Sequence, residues 1–213
     1  MLVIQIAAVV LLVTYYRSSD LRAGAETLAQ FKVRYGLVFS FLAGFAAGGI
    51  IPEIAKLCAG VLPKNLASWL GDSGFNGFAY GCIGVIIDLF YRAQTQWFGS
   101  SNDLGTLMTK TAVDMIFFAP LIIMPFMLSV FEWHKFGWSS VRKVFTVRAL
   151  KEKFLPALLP NWAFWIPVLF CVYAMPTNLQ FCFSTLAEAA WSIVFVFIAR
   201  GGGQHEPTEH APS

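Results

Sequence analysis

The sequence predicts an all-α, polytopic transmembrane helix bundle of about five or six apolar helices plus a basic amphipathic interfacial helix. Three observations carry this expectation. Long apolar stretches, six in all, fill most of the 213 residues. Hydrophobic residues make up 57% of the chain and charged residues only 13%, about half the roughly 25% of a soluble domain. Asp88, Asp114 and Glu188 each stand deep in apolar sequence, where a lone charge is costly and calls for a partner or a function.

The first stretch, Met1 to Tyr16, is long enough as a helix for about 24 Å, short of a hydrocarbon core of about 30 Å. No basic residue precedes it and no small-x-small site follows, so a retained membrane helix is favoured over a signal peptide. Arg17 to Arg34 is polar and reads as a connection. The second stretch runs from about Tyr35 to Ala59. Its Gly44 and Gly48 form a small-xxx-small pair suited to close helix approach, and Pro52 is expected to kink or end it. Leu62 to Gly74 reads as a loop closed by the turn-like Gly71-Asp72-Ser73-Gly74.

The third stretch spans about Phe75 to Tyr91, with Gly77, Gly81 and Gly84 on one helix face. Phe98 to Leu107 is a polar connection, and the fourth stretch extends from about Leu107 to Val130 with Pro120 and Pro125 inside. Between Ser139 and Phe154, apolar Val141, Val144 and Phe145 alternate with Arg142, Lys143, Arg148, Lys151 and Lys153. This is the basic amphipathic helix, which can lie on the membrane surface or serve as a solvated cap. The fifth and sixth stretches are Leu155 to Met175 and Leu179 to Ala199. One domain, 1–199, is therefore expected, with a disordered polar tail at 200–213. Both 17–34 and 131–154 are net basic and favour the same inner face. Six full spans would separate them, so the second stretch is expected to be the partial one.

Within the apolar stretches, Lys110 and Asp114 have i,i+4 spacing, as do Asp88 and Arg92. Each pair reads either as a structural clamp or as part of a polar pathway. Glu188 has no charged neighbour within two turns, so its partner comes from another helix or it is protonated. Cys58, Cys82, Cys171 and Cys182 lack the spacing of a zinc site or disulfide framework. His134, His205 and His210 form no ligand cluster. No metal or cofactor is expected, and neither a phosphate loop, a nucleophile elbow nor a basic-aromatic stripe for nucleic acid is present.

The ordered set Gly81, Asp88-Leu89-Phe90-Tyr91-Arg92, Lys110-Thr111-Ala112-Val113-Asp114, Ala119-Pro120, Asn161-Trp162, Trp165-Ile166-Pro167, Pro176 and Trp191-Ser192 resembles the Mpv17/PMP22 (peroxisomal membrane protein 22) family. The resemblance covers about 75–199. It departs from the family pattern at Met115 and Gln180, where glutamine and arginine are usual, and at Ile166 between Trp165 and Pro167. It implies a small integral membrane protein without cofactor or catalytic centre, akin to relatives described as weakly selective channels. Its membrane would be the plasma (inner) membrane in a bacterium, or a mitochondrial or other organelle membrane in a eukaryote.

The resulting functional expectation is a small-solute or ion channel whose interior presents Asp88, Arg92, Lys110, Asp114 and Glu188. The alternative is a non-transporting scaffold or partner-binding protein whose charges are structural pairs. An enzyme is not expected, since no histidine lies in a span and no nucleophile–base arrangement is visible. The lipid bilayer is the primary partner, small solutes or ions follow from the channel reading, and homo-oligomerisation is left open.

Overall fold

Ser18 starts the first long helix. Helix α1 (Leu2–Arg17) ends where Ser18 takes extended backbone angles. The Ser18 hydroxyl then accepts from Leu21 N at 3.2 Å, satisfying a free N–H at the start of the next helix. Helix α2 (Ser19–Phe45) thus absorbs the stretch expected to be a connection. Gly36 bends it, with φ 53° and ψ −128°, a conformation that glycine adopts without a Cβ clash. The computed structural model describes residues 1–61, 65–146, 148, 151 and 154–202.

Neither Pro52 nor Pro120 ends its helix. Ala46–Ile50 forms a π-helical segment leading into α3 (Ile51–Cys58). Asp114–Ile123 forms a longer one between α5 (Leu104–Val113) and α6 (Met124–Phe136). In this wider turn each N–H bonds five residues back. Pro52 and Pro120, having no N–H, therefore leave the carbonyls of Ala47 and Met115 without their helical donors. A side chain from the C-terminal part of the chain meets the second, and another lies near the first. Trp162 Nε1 donates to Met115 O at 2.9 Å, and Ser192 Oγ lies 3.3 Å from Ala47 O while also donating to Ala189 O at 2.8 Å. In apolar surroundings an unmet carbonyl is expensive, which is why neighbouring helices supply the donor.

The predicted loop at 62–74 is mostly helix. Residues 62–64 lie outside the described residues, and Asn65 Oδ1 accepts from Ala67 N at 2.9 Å to cap α4 (Leu66–Phe98). Gly71-Asp72-Ser73-Gly74 is its second turn, so the turn reading is corrected. Asp103 likewise caps α5, accepting from Thr106 N at 3.0 Å. Helix α7 (Trp138–Val144) is the described part of the expected amphipathic helix, and most of 147–153 lies outside the described residues. Helices α8 (Leu155–Ala174) and α9 (Thr177–Gly202) meet at Pro176. Met175 before it is extended, as a residue preceding proline prefers, and Pro176 O accepts from Leu179 N at 2.8 Å. Since α9 runs through Gly202, only 203–213 of the expected tail lies outside the described residues.

The closest helix approach is between α2 and α4, which run antiparallel. A Cβ on Gly84 would stand 2.5 Å from Ser40 O, and one on Gly44 would stand 2.5 Å from Tyr80 O. Gly77 and Gly81 receive the rings of Phe45 and Phe41, and Gly48 receives that of Tyr80. The expected small-residue faces are thus one shared seam, and only hydrogen at Cα lets the backbones come this near. Helix α6 returns along α4, with Phe75 stacked on His134 at 3.8 Å and Phe90 on Phe118 at 3.6 Å. Helix α1 lies alongside α8 in parallel, joined by Gln5 Nε2 to Ala163 O at 2.7 Å and Tyr16 Oη to Ala174 O at 2.6 Å. Phe164, Val168, Leu169, Val172 and Tyr173 of α8 form the centre of the core.

The result is an all-α bundle that has, among the described residues, three helical stretches long and apolar enough to cross a membrane: Ser19–Cys58, Leu66–Phe98 and Leu104–Phe136. The two further apolar helices, Leu2–Arg17 and Leu158–Ala174, are shorter. The second apolar stretch, expected to be a partial span, belongs to the longest of the three.

Candidate functional site

Among the polar clusters between these helices, two contain carboxyl groups singled out in the sequence, while a third joins buried Glu53 to Lys56 and to Trp69 Nε1, each at 2.6 Å. In the first, Asp88 of α4 is fully buried. Its Oδ1 lies 2.6 Å from Lys32 Nζ of α2, and its Oδ2 lies 2.7 Å from Arg92 Nη2. Ser40 Oγ donates to Oδ2 at 2.8 Å. Lys32 is itself only 5% exposed and also faces the Phe181 ring of α9 at 5.3 Å. The Asp88–Arg92 pair follows the sequence spacing. Lys32 was missed because 17–34 read as a connection, and Ser40 because it is an uncharged residue of the second stretch. Their signal was available in the stripe at four-residue spacing Lys32, Gly36, Ser40, Gly44 and Gly48. It places a cation and a hydroxyl opposite Asp88, Gly84, Gly81 and Gly77 once α2 is taken as one antiparallel helix.

The second cluster corrects the expected Lys110–Asp114 pair. Both residues are buried, yet no ion pair joins them. Asp114 Oδ2 instead accepts from Tyr173 Oη of α8 at 2.6 Å, and Gln94 Nε2 of α4 donates to the same Tyr173 oxygen at 2.8 Å. Lys110 Nζ faces the Tyr173 ring at 5.8 Å, a cation–π contact in place of the carboxylate. The turn between them is regular, with the Asp114 N–H bonding Lys110 O, so the physical cause is α8, whose Tyr173 brings a hydroxyl to the carboxylate and a ring to the ammonium. The Lys-before-Asp order is also the weaker orientation for such a pair.

Comparison with protein-family models, with curated proteins and with solved structures gives no match.

Beside Asp114 the bundle holds a half-open cavity of about 310 Å³. Most of its wall is apolar, from Ile83, Met115, Phe118 and Leu169 among others. Trp165 and Trp191, both in the resemblance set, supply indole rings, while Gly44 and Gly84 line it without side chains. Glu188 is half-buried at this wall and makes no hydrogen bond or ion pair with a described residue. The inter-helix partner expected for it is therefore absent among the described residues. Pro167 lies exposed inside α8, Pro176 sits at the α8–α9 joint, and Trp162 serves the Met115 carbonyl. Gln180, at the position where the resemblance would place arginine, donates to Met175 O at 3.1 Å and so braces that joint.

Among the described residues, no group of three or more His, Cys, Asp and Glu side chains could hold a metal ion. The four cysteines are free. What the arrangement does chemically is neutralise charge between helices at Asp88, and present two carboxyl groups to a half-open, mostly apolar space at Asp114 and Glu188.

Proposed function

We propose that this membrane-associated helical bundle is a non-transporting, non-enzymatic scaffold whose buried charges hold its helices in place. The supporting observation is the closed Lys32–Asp88–Arg92 cluster, with both members of the Lys32–Asp88 pair buried and Ser40 filling a further acceptor position. A carboxylate that conducts ions needs water and exchangeable ligands. Asp88 has neither open side, and its partners come from two helices that touch through a glycine seam. The described residues display such closed contacts and show no pore. The Mpv17/PMP22 resemblance remains part of this proposal as a kinship in architecture, while the weakly selective channel it suggests is the competing reading.

Flux through purified protein in liposomes separates the two. Small-solute release and bilayer current are expected to equal those of empty liposomes across pH and voltage. Current above that background, reduced in a D114N/E188Q variant with unchanged helical signal and unfolding temperature, would establish the channel and remove the scaffold reading.

A further inference from the structure

The scaffold reading leaves the cavity at Asp114 and Glu188 without a role. Its 23 lining residues include two carboxyl groups and no lysine, arginine or histidine. Lys110, the nearest cation in sequence, is turned to the Tyr173 ring. Glu188 has no hydrogen-bond partner among the described residues, and Asp114 has one oxygen held by Tyr173. The wall therefore sets two carboxyl groups among neutral donors, such as Tyr80, Tyr91 and Asn161, with no cationic side chain beside them. A carboxylate held away from water without a counter-charge is stabilised when a proton or an external cation joins it.

The remaining wall selects the kind of cation. A hard metal ion takes six to eight oxygen ligands in the calcium case and a near-octahedral set in the magnesium case. The wall instead offers sulfur, hydrocarbon and aromatic faces, including Met124, Met127, Trp165 and Trp191. Indole faces favour organic cations, and methionine side chains adapt to varied apolar shapes. The volume of about 310 Å³ stands at the small end of the range for small-molecule sites, about 300–1,000 Å³.

We infer that this cavity binds a small lipophilic amine, its ammonium group on Glu188 and its apolar body against the tryptophan and methionine side chains. The ammonium N–H groups satisfy the Glu188 carboxylate, and the ligand reaches the site from the hydrocarbon phase in which it dissolves. This inference is independent of the scaffold proposal, since a closed bundle and a channel could each hold such a site.

The test uses the full chain in lipid nanodiscs with phenylhexylamine, and with phenylhexanol and phenylhexanoate as neutral and anionic counterparts of similar shape. Equilibrium dialysis against protein-free nanodiscs reports saturable binding. One-to-one binding of the amine is expected, at least about tenfold tighter than that of the alcohol, with the acid weakest. In Glu188→Gln the preference of amine over alcohol should fall by about tenfold while the alcohol still binds. If Glu188→Gln is unfolded, the amine-to-alcohol ratio in the unaltered protein decides the matter. Equal affinity for amine and alcohol, or amine uptake no greater than in protein-free nanodiscs, overturns the inference.

Discussion

Asp88 and Asp114 are both aspartates in apolar helices with a basic residue four positions away, yet the bundle treats them in opposite ways. Asp88 keeps its local partner Arg92 and gains Lys32 from the neighbouring helix. Asp114 does not pair with Lys110 and takes the Tyr173 hydroxyl instead. The difference originates in what the neighbouring helix brings. Asp88 sits in an unbroken α-helix that meets α2 through glycines, so charges on the two helices come within contact. Lys110 and Asp114 are joined by a regular turn, but α8 brings the Tyr173 hydroxyl to the carboxylate and the Tyr173 ring to the ammonium. Sequence spacing therefore pairs charges only where no neighbouring helix offers either one a competing contact.

The largest expected effect comes from breaking the closed cluster. Asp88→Asn leaves Lys32 buried without its counter-charge, which should lower stability by about 3–5 kcal/mol. Thermal unfolding in detergent, followed by circular dichroism, measures this. Replacing both partners, as in Lys32→Met with Asp88→Leu, should recover much of the loss. If the single variant unfolds with the unaltered protein, Asp88 is no clamp and the contrast with Asp114 disappears.

Trp162→Phe keeps the ring but removes the indole N–H from the Met115 carbonyl. Because Pro120 has already withdrawn the helical donor, a cost of about 1–3 kcal/mol is expected. A Trp162→Phe change that is neutral only in combination with Pro120→Ala would tie the two residues together, since alanine restores an N–H.

Lys110→Met should be close to neutral, within about 1 kcal/mol, since methionine keeps the apolar stem and no carboxylate loses a partner. A loss as large as that of Asp88→Asn would mean that Lys110 and Asp114 pair after all, making the two regions alike.

The smallest effect belongs outside the three long apolar stretches, at Asp103. The Ser101 hydroxyl beside it, together with the Thr106 N–H at 3.0 Å and hydroxyl at 2.7 Å, holds its carboxyl well below the usual carboxylate range. A value lowered on folding contributes stability above the unfolded value of about 3.9, and this is lost as pH falls through the folded value. The unfolding-temperature gap between the unaltered protein and Asp103→Ala should hold steady from neutral pH to about pH 5 and narrow below about pH 4.

Much of the bundle was legible in the sequence because burial in an apolar helix leaves a compositional mark. The third to sixth stretches emerge as helices, and the glycines at 44, 48, 77, 81 and 84 lie in one seam, as small residues at helical spacing suggest. Errors arose where polarity was taken for loop. The stretch 17–34 and the segment Gly71–Gly74 are rich in turn-forming or charged residues, but caps at Ser18 and Asn65 commit both to helix. The two basic regions consequently flank opposite ends of the long α4 and α2 pair, so charge bias alone gives no common inner face. Tyr173 and Gln94 were not marked as site residues, since neither is charged. Their importance depends on three helices meeting, which no local spacing encodes.

The parallel seating of α1 on α8 has a consequence for how the chain is made. Gln5 and Tyr16 reach acceptors that lie 158 residues further along. At about 5–20 residues per second, the acceptors for α1 are synthesised roughly ten to thirty seconds after α1 itself. Helix α1 is thus seated well after it leaves the ribosome. During that interval its glutamine and tyrosine must be served by water, lipid headgroups or the insertion machinery. Assembly of this bundle closes backwards, with α8 returning to fix α1.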